Sequence, residues 1–183
     1  MELKVPSEVK VDGYIPTAED LTFTNDCSSL FYYGRFSWVL EHYTSLFSFS
    51  NIQNAGSCFY ALKTNADLTN LTFYMNNKGW NNILNDMFAY SKLSHLPHIV
   101  GKVDECSEIF RSYSMESIPD NFFDDFIFQK PNSYIDCTSI FSGCKNLTKV
   151  PSLKAFKQLQ STRVPSSAYY NFYYNLFYDC NKL

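Results

Sequence analysis

The sequence predicts an α/β solenoid with short parallel strands on one face and short helices or 3₁₀ turns on the other. Two observations carry this prediction: a short residue pattern recurs along the chain, and the phenylalanines that anchor it return at intervals of 22 to 36 residues. The chain has 183 residues, of which 45% are hydrophobic and 18% are charged. Such a chain can form one domain or a short repeat array, and its composition excludes disorder.

The recurring pattern reads acidic residue, Cys, Ser or Thr, any residue, aliphatic residue, Phe. It occurs at Asp26–Phe31, Glu105–Phe110 and Asp136–Phe141. After the third copy, apolar residues continue in steps of three through Leu147 to Pro151. Three matches in one short chain indicate an internal repeat.

The anchor phenylalanines define five or six units, of which the first two are weaker copies. We attribute the irregular intervals between anchors to loop insertions between units. Periods of about 20–30 residues with a Leu-x-x-aliphatic core are typical of leucine-rich repeats, so we expect an irregular leucine-rich-repeat solenoid. The anchors are Phe31, Phe59, Phe88, Phe110, Phe141 and Phe177.

Each unit is expected to form a turn followed by a brief strand. Apolar residues three and four positions apart, as in Cys137-x-x-Ile-Phe-x-x-Cys144, place one apolar face on a short helix or 3₁₀ turn. Thr138 is suited to cap that turn. The next residues, 147–150, are expected to extend into a strand that Pro151 ends, because proline lacks the N–H donor. Pro97 and Pro119 have the same role in their units.

The segment Ile140–Pro151 resembles the BspA-like leucine-rich repeats, whose units read roughly Phe-x-x-Cys-x-x-Leu-x-x-Ile-Pro. The segment Ile118–Phe126 looks like the family variant in which a short helix follows the proline. The resemblance is specific over residues 84–183 and suggestive over 26–83. Several units depart from the family pattern, with Tyr or Ser in place of the second Cys. We therefore expect an extended segment at 1–20 and a solenoid at 21–183, with degenerate units at 21–83 and clearer ones at 84–183.

The resemblance implies binding or assembly without catalysis, since such repeats occur in bacterial surface proteins, phage virion and tail proteins, and some protist proteins. We expect a non-catalytic docking protein in a phage virion or tail. The alternative is a fragment of a bacterial cell-surface adhesin, at the cell surface or secreted, that binds a host protein or glycan. Residues 1–10 do not resemble a signal peptide. The last unit breaks off at Asp179–Leu183, so we expect protein partners in a larger assembly at that open end.

Composition and charge narrow the classes of partner. The formal net charge is −3 and the pI is about 5.6, which argues against nucleic acid. With 6 glycines, the chain has little material for phosphate-binding loops, and we expect no cofactor. The longest uncharged stretch, 42–62, contains many Ser, Asn and Thr residues, so we expect no membrane insertion.

The residues that could support catalysis or metal binding are explained more simply by the repeat. No two of the six cysteines have the C-x-x-C spacing, so we expect free, buried thiols rather than zinc ligands or a redox pair. Cys106 with His95 or His98 could form a nucleophile and base, but Cys106 occupies a repeated position and a catalytic residue should be singular. His95 and His98 lack a third ligand for a metal. We expect no catalytic residue and no metal site.

Two further groups of residues are candidates for binding. The carboxylates around Asp120 and Asp124 lack the register of a calcium loop and are expected on a solvated helix face. If binding uses the strand face, the exposed positions between the apolar residues are Ser94, His95, Glu116, Ser117, Thr148 and Lys149. The aromatic run at 169–178 is expected to serve as core plus interface, because Tyr is enriched where proteins dock. Its candidate interface residues are Tyr169, Tyr170, Tyr173 and Tyr174.

The core is predicted from the same alignment. The anchor rings of the last four units are expected to stack on one another, in register with one aliphatic residue each. The rings are Phe88, Phe110, Phe141 and Phe177, and the aliphatic partners are Leu93, Met115, Leu147 and Leu183.

Overall fold

A computed structural model describes residues 15–78, 82–128, 135–157 and 175–183. The strands in these ranges are β1 (Thr22–Asp26), β2 (Ser48–Asn54), β3 (Lys63–Thr64), β4 (Thr72–Met75), β5 (Lys92–Leu93), β6 (His98–Lys102) and β7 (Phe126–Ile127). The same ranges contain one α-helix, α1 (Ser37–Tyr43), and 3₁₀ turns at Tyr32–Gly34, Thr44–Leu46 and Lys154–Phe156. None of these helices has the length and apolarity that crossing a bilayer requires.

The fold is α/β, with a five-stranded parallel sheet and few short helices. The strands lie in the order β1-β2-β4-β6-β7, so the spatial order follows the chain order. Side chains alternate across the sheet: Phe73 and Met75 of β4 are buried, whereas Tyr74 is 55% exposed. Phe49 pairs with Phe73 in the neighbouring strand, and their rings stack at 4.0 Å. We call the stretch of chain around one anchor phenylalanine a winding. Among the described residues, the first five windings each contribute one strand to the sheet, in chain order.

Shorter parallel contacts hold the windings together elsewhere. A second ladder joins β3 to β5. Single bridges connect Asn54 to Ile83, Ile83 to Glu105 and Glu105 to Asp136, all parallel. The expectation of short parallel strands is thus confirmed, and these contacts add to those of the five-stranded sheet.

Two local expectations are wrong. Residues 120–125, predicted as a short helix, form successive turns in which Phe122 N–H bonds Pro119 O and Asp124 N–H bonds Asn121 O, and the chain then enters β7. Residues 147–150, predicted as a strand, make one ladder bond, from Thr148 N–H to Glu116 O at 3.0 Å. Pro151 follows and has no N–H to continue the pairing. In an earlier unit the strand follows the proline instead: β6 begins directly after Pro97.

The anchor phenylalanines form one continuous column of stacked rings. Neighbouring centroids lie 5.2 to 6.1 Å apart and their planes differ by 3° to 13°. The predicted stacking of the last four rings is confirmed, and the two weaker copies stack equally well. The column consists of Phe31, Phe59, Phe88, Phe110, Phe141 and Phe177. At its first end, Phe47 covers Phe31 edge-on at 5.5 Å.

The aliphatic partners of the column are only partly as predicted. Leu93 and Leu147 are buried, and Met115 is partly buried against the core. Leu183 is 49% exposed, so its prediction as a core residue is wrong. Phe177, in the same last segment, is 38% exposed, because the described residues place a ring on one of its faces only. Of the expected N-terminal segment 1–20, residues 1–14 lie outside the described ranges and 15–20 end in a turn.

The turn that carries each anchor ring has an unusual backbone. Alternate N–H groups donate to carbonyls of the next winding, as Phe59 does to Met87 O at 2.9 Å and Phe88 to Ile109 O at 2.9 Å. Two residues away on either side of each anchor, φ is positive, between 52° and 75°. These residues are Ser29, Tyr33, Ser57, Ala61, Asp86, Tyr90, Glu108, Ser112, Ser139, Gly143, Asn175 and Asp179. Side chains are strained in this region, and Gly143 is the one member of the series without a Cβ.

Replacing Phe141 with Ala should lower the free energy of unfolding by about 3–5 kcal/mol, because it leaves a cavity between two stacked rings. The matched change Phe177→Ala should cost less than half as much, since Phe177 is 38% exposed and is stacked on Phe141 alone. Urea unfolding of the two variants measures both values. A loss below about 1 kcal/mol for Phe141→Ala, typical of a surface change, would contradict the role of the column.

Replacing Ser139 with Gly should raise the free energy of unfolding by about 0.5–1 kcal/mol, because glycine relieves the positive φ of 55° at this position. Ser107, equally half-buried but without a positive φ, is the control. Ser107→Gly should lower stability by up to about 1 kcal/mol through the added freedom of the unfolded chain. Thermal unfolding compares the two, and destabilisation by both would show that the positive φ carries no strain.

Candidate functional site

The six predicted strand-face residues are all exposed, and they lie in the turns that follow the anchor rings. Two of these turns are joined directly: the Thr148 N–H and hydroxyl both donate to Glu116 O, at 3.0 and 3.1 Å. Ser94 contacts its neighbour His95 at 3.0 Å, and the Lys149 ammonium pairs with Asp120 at 2.5 Å. The residues therefore form a polar ledge of successive turns: Ser94, His95, Glu116, Ser117, Thr148 and Lys149. The candidates Tyr169, Tyr170, Tyr173 and Tyr174 lie outside the described residues.

A second exposed surface was not predicted from the sequence. Tyr32 and Tyr33 follow the first anchor ring, and Tyr60 and Tyr90 follow the next two by one and two positions. Tyr32 stacks on Tyr60 at 4.9 Å with planes 20° apart, and Tyr33 and Tyr90 contact Tyr60 at 5.7 and 5.3 Å. The Arg111 guanidinium lies over the Tyr90 ring, 5.6 Å from its centroid. We call this surface, made of the four tyrosines and Arg111, the tyrosine ridge.

Two carboxylates flank the tyrosine ridge. Glu108 pairs with the Arg111 guanidinium at 2.7 Å. Burial, with a further contribution from the neighbouring Glu108 carboxylate, raises the pKa of Asp86 to about 6. Partial burial and the surrounding tyrosines also raise the pKa of Tyr60. The ridge thus combines aromatic rings, phenol hydroxyls, two carboxyl groups and one guanidinium, and its charges nearly balance.

The cysteines are free thiols. Five of them are buried, as predicted, whereas Cys180 is half-buried. Cys106 and Cys137 meet in the core with 3.1 Å between their sulfurs. Cys144 donates to Phe110 O at 2.9 Å and Cys180 to Phe141 O at 2.9 Å. Burial raises the pKa of Cys144 to about 12 and that of Cys137 well above its usual value. These thiols therefore have the opposite environment to an activated nucleophile.

The other candidates for catalysis or metal binding are not brought together. Cys106 contacts Cys137, whereas His95 contacts Ser94 and His98 is exposed on β6. Among the described residues, no three His, Cys, Asp or Glu side chains are grouped as a metal site requires. A cleft between Pro97 and Pro119 has a volume of about 30 Å³, which is the space of one water molecule.

A polar cluster that was not predicted from the sequence lies inside the stack. The Asn82 amide donates to Asn76 O at 2.7 Å and to Lys102 O at 2.8 Å. The backbone N–H of Asn82 donates to the Asp104 carboxylate at 2.9 Å, and Lys102 pairs with the same carboxylate at 3.7 Å. Two of these bonds, from Asn82 to Lys102 O and to the Asp104 carboxylate, join segments 20 and 22 residues apart, so the buried cluster ties two neighbouring windings together.

The last described winding presents an apolar end. Phe177, Tyr178 and Leu183 are 38%, 66% and 49% exposed. Phe141 N–H and Gly143 N–H bond carbonyls of this winding, at Leu176 O and Tyr178 O. The equivalent N–H groups within it, of Phe177 and Asp179, have no acceptor among the described residues. We call this surface the Phe177 end face.

Comparison with known proteins adds no assignment to this geometry. No protein-family model, no curated protein and no solved structure matches the chain. The resemblance to BspA-like repeats therefore stays a prediction that depends on the pattern of residues 140–151.

Replacing Asp86 with Asn should raise the melting temperature more at pH 7.5 than at pH 4.5. The folded-state pKa of about 6 exceeds the unfolded value of about 3.9, so folding favours the protonated carboxyl. Its contribution is present below the unfolded pKa and is lost as the pH rises through 6. The amide of Asn does not ionise, so the Asp86→Asn variant does not lose this stability as the pH rises.

Thermal unfolding at the two pH values measures this difference. Asp124, an exposed carboxylate away from the ridge, provides the control, and Asp124→Asn should shift the melting temperature equally at both. An equal shift for Asp86→Asn at both pH values would show that the Asp86 carboxyl is not perturbed.

Proposed function

We propose that the chain is an irregular leucine-rich-repeat solenoid of the BspA-like type, and that its function is non-catalytic protein–protein docking. The observation that carries this proposal is the repetition of its reactive residues. The thiols are the strongest nucleophiles of the sequence, and five of the six fall at two recurring positions, four residues before an anchor ring or three after it. All but Cys180 are buried. Surface features that recur with the windings are suited to binding an extended partner instead.

Two features of the fold support the solenoid. The strands of the five-stranded sheet follow one another in chain order and are all parallel. The anchor rings repeat the same order in a second layer, from Phe31 to Phe177. A chain that adds one strand and one ring per winding has the architecture expected of a repeat array in which each unit contacts only its neighbours.

The Phe177 end face is the proposed docking surface for a protein partner. It offers the exposed Phe177 ring and the backbone N–H groups of Phe177 and Asp179, for which the described residues supply no acceptor. A partner that supplies carbonyls and an apolar residue would continue the stack, as in strand addition at a sheet edge. The polar ledge of Ser94, Glu116 and Thr148 provides a second surface along the side of the stack.

We propose a role in a phage virion or tail, where a neighbouring subunit would cover the end face. The alternative is a cell-surface adhesin, which would bind a host protein or glycan along the sides of the stack. The two roles therefore differ in which surface is used, and variants of the end face distinguish them.

Replacing Phe177 with Glu should abolish association through the end face, because a charge cannot be buried there without a partner. Light scattering across a concentration series should show concentration-dependent oligomers for the native chain and a monomer for the variant. Tyr74→Glu, which changes a 55% exposed residue on the sheet, should leave association unchanged. A native chain that stays monomeric at every concentration would favour the adhesin role.

A further inference from the structure

We propose that the tyrosine ridge binds an extended β-1,4-linked glycan with equatorial hydroxyl groups, lying along the stacking direction of the windings. This binding does not depend on the Phe177 end face. It stands on three observations: the orientation of the ridge rings, their spacing along the stack, and the polar groups beside them.

The orientation of Tyr33 makes a ring face available along the stack. Tyr32 and Tyr60 stack on each other across consecutive windings, so their planes lie across the stacking direction. The Tyr33 ring is inclined by 78° to Tyr32 and by 58° to Tyr60, so its plane runs along that direction. Tyr33 is 67% exposed. A ring in this position can pack against the C–H face of a sugar, as aromatic side chains pack against other flat ligands.

The spacing of the ridge matches a glycan with a two-residue repeat. Tyr33 and Tyr90 are both the second residue after their anchor ring, and they are two windings apart, with Ala61 at the equivalent place between them. Parallel windings are separated by about 4.8 Å, so two windings span about 10 Å. In an extended β-1,4-linked chain, every second sugar turns the same face to one side. The length of one sugar is close to the separation between two neighbouring windings. Alternation of Tyr, Ala and Tyr therefore suits this linkage.

The flanking groups suit neutral, hydroxylated ligands. Carboxylate and guanidinium groups bind pairs of neighbouring hydroxyls through two parallel hydrogen bonds, and Asp86, Glu108 and Arg111 all lie at one end of the ridge. Tyr90, 39% exposed, lies beside them. A single cation balanced by two carboxyl groups gives no attraction for a phosphate backbone, which favours a sugar chain over a nucleic acid.

The test is a titration of the full chain with cellohexaose, followed by NMR or isothermal calorimetry. We expect saturable binding with a dissociation constant below about 1 mM. Maltohexaose, which has the same sugars in a curved α-1,4-linked chain, should bind at least about tenfold more weakly. Failure of cellohexaose to saturate, or equal affinity for the two hexaoses, would overturn the proposal.

Variants locate the binding on the ridge. Tyr33→Ala and Tyr90→Ala should each weaken cellohexaose binding by about tenfold, the scale of one lost stacking contact. Tyr33→Phe keeps the ring and should retain most of the affinity. Tyr74→Ala, an exposed tyrosine on the sheet, should bind as the native chain does. Native affinity in Tyr33→Ala would overturn the proposal, and circular dichroism of each variant confirms that the fold is retained.

A further variant separates this proposal from docking at the end face. Phe177→Glu should bind cellohexaose with native affinity, because Phe177 lies three windings from Tyr90. If Phe177→Glu loses self-association but still binds cellohexaose, both roles are supported. If Phe177→Glu still associates and Tyr33→Ala no longer binds cellohexaose, the ridge is supported and the end face is rejected. Absent sugar binding in the native chain rejects the ridge alone.

Discussion

The stacking of one phenylalanine ring per winding is the interaction on which the rest of the structure depends. A single winding has too few apolar residues to bury its own core, so its stability comes from the windings on either side. Ring centroids lie 5.2 to 6.1 Å apart, slightly more than the separation of about 4.8 Å between paired strands. The backbone ladders therefore set the pitch, and the rings are slightly offset to fill the space that this pitch leaves. Both interactions must be present at once, since neither alone orders a winding.

The backbone of the anchor turn shows what this arrangement costs. To present alternate N–H groups to the next winding, the chain adopts positive φ two residues before and after each ring. Most of those positions carry side chains, although each one costs about 1–2 kcal/mol in the left-handed region. At Gly143 a Cβ would lie 2.6 Å from the Ser112 hydroxyl oxygen, so that hydroxyl would have to rotate away. The strain persists because the buried rings and inter-winding hydrogen bonds over-determine the turn.

The sequence contains enough information to predict the column of anchor rings and much less to predict the strands of the sheet. The anchor rings are predictable because five of the six thiols keep a fixed spacing from a ring, four residues before it or three after it. The strands are harder to detect: in β2, Phe49 and Ile52 are both buried but three residues apart, because the pairing with β4 shifts between them. That irregularity removes the alternation by which a strand is recognised. Leu183 was wrongly predicted as a core residue for a different reason. It is in register with the repeat pattern, but a residue at such a position is buried only where another winding covers it.

The outer positions of the anchor turn were missed because they do not repeat. The residue after each ring is Tyr32, Tyr60, Ala89, Arg111, Ser142 and Tyr178 in turn. The hydrogen bonds that position this residue come from the backbone, so its side chain is free to vary without disturbing the stack. A search for periodicity finds the residues that hold the windings together and passes over those that differ from one winding to the next. The differing residues distinguish one part of the surface from another, so the tyrosine ridge is where selectivity for the proposed ligand can arise.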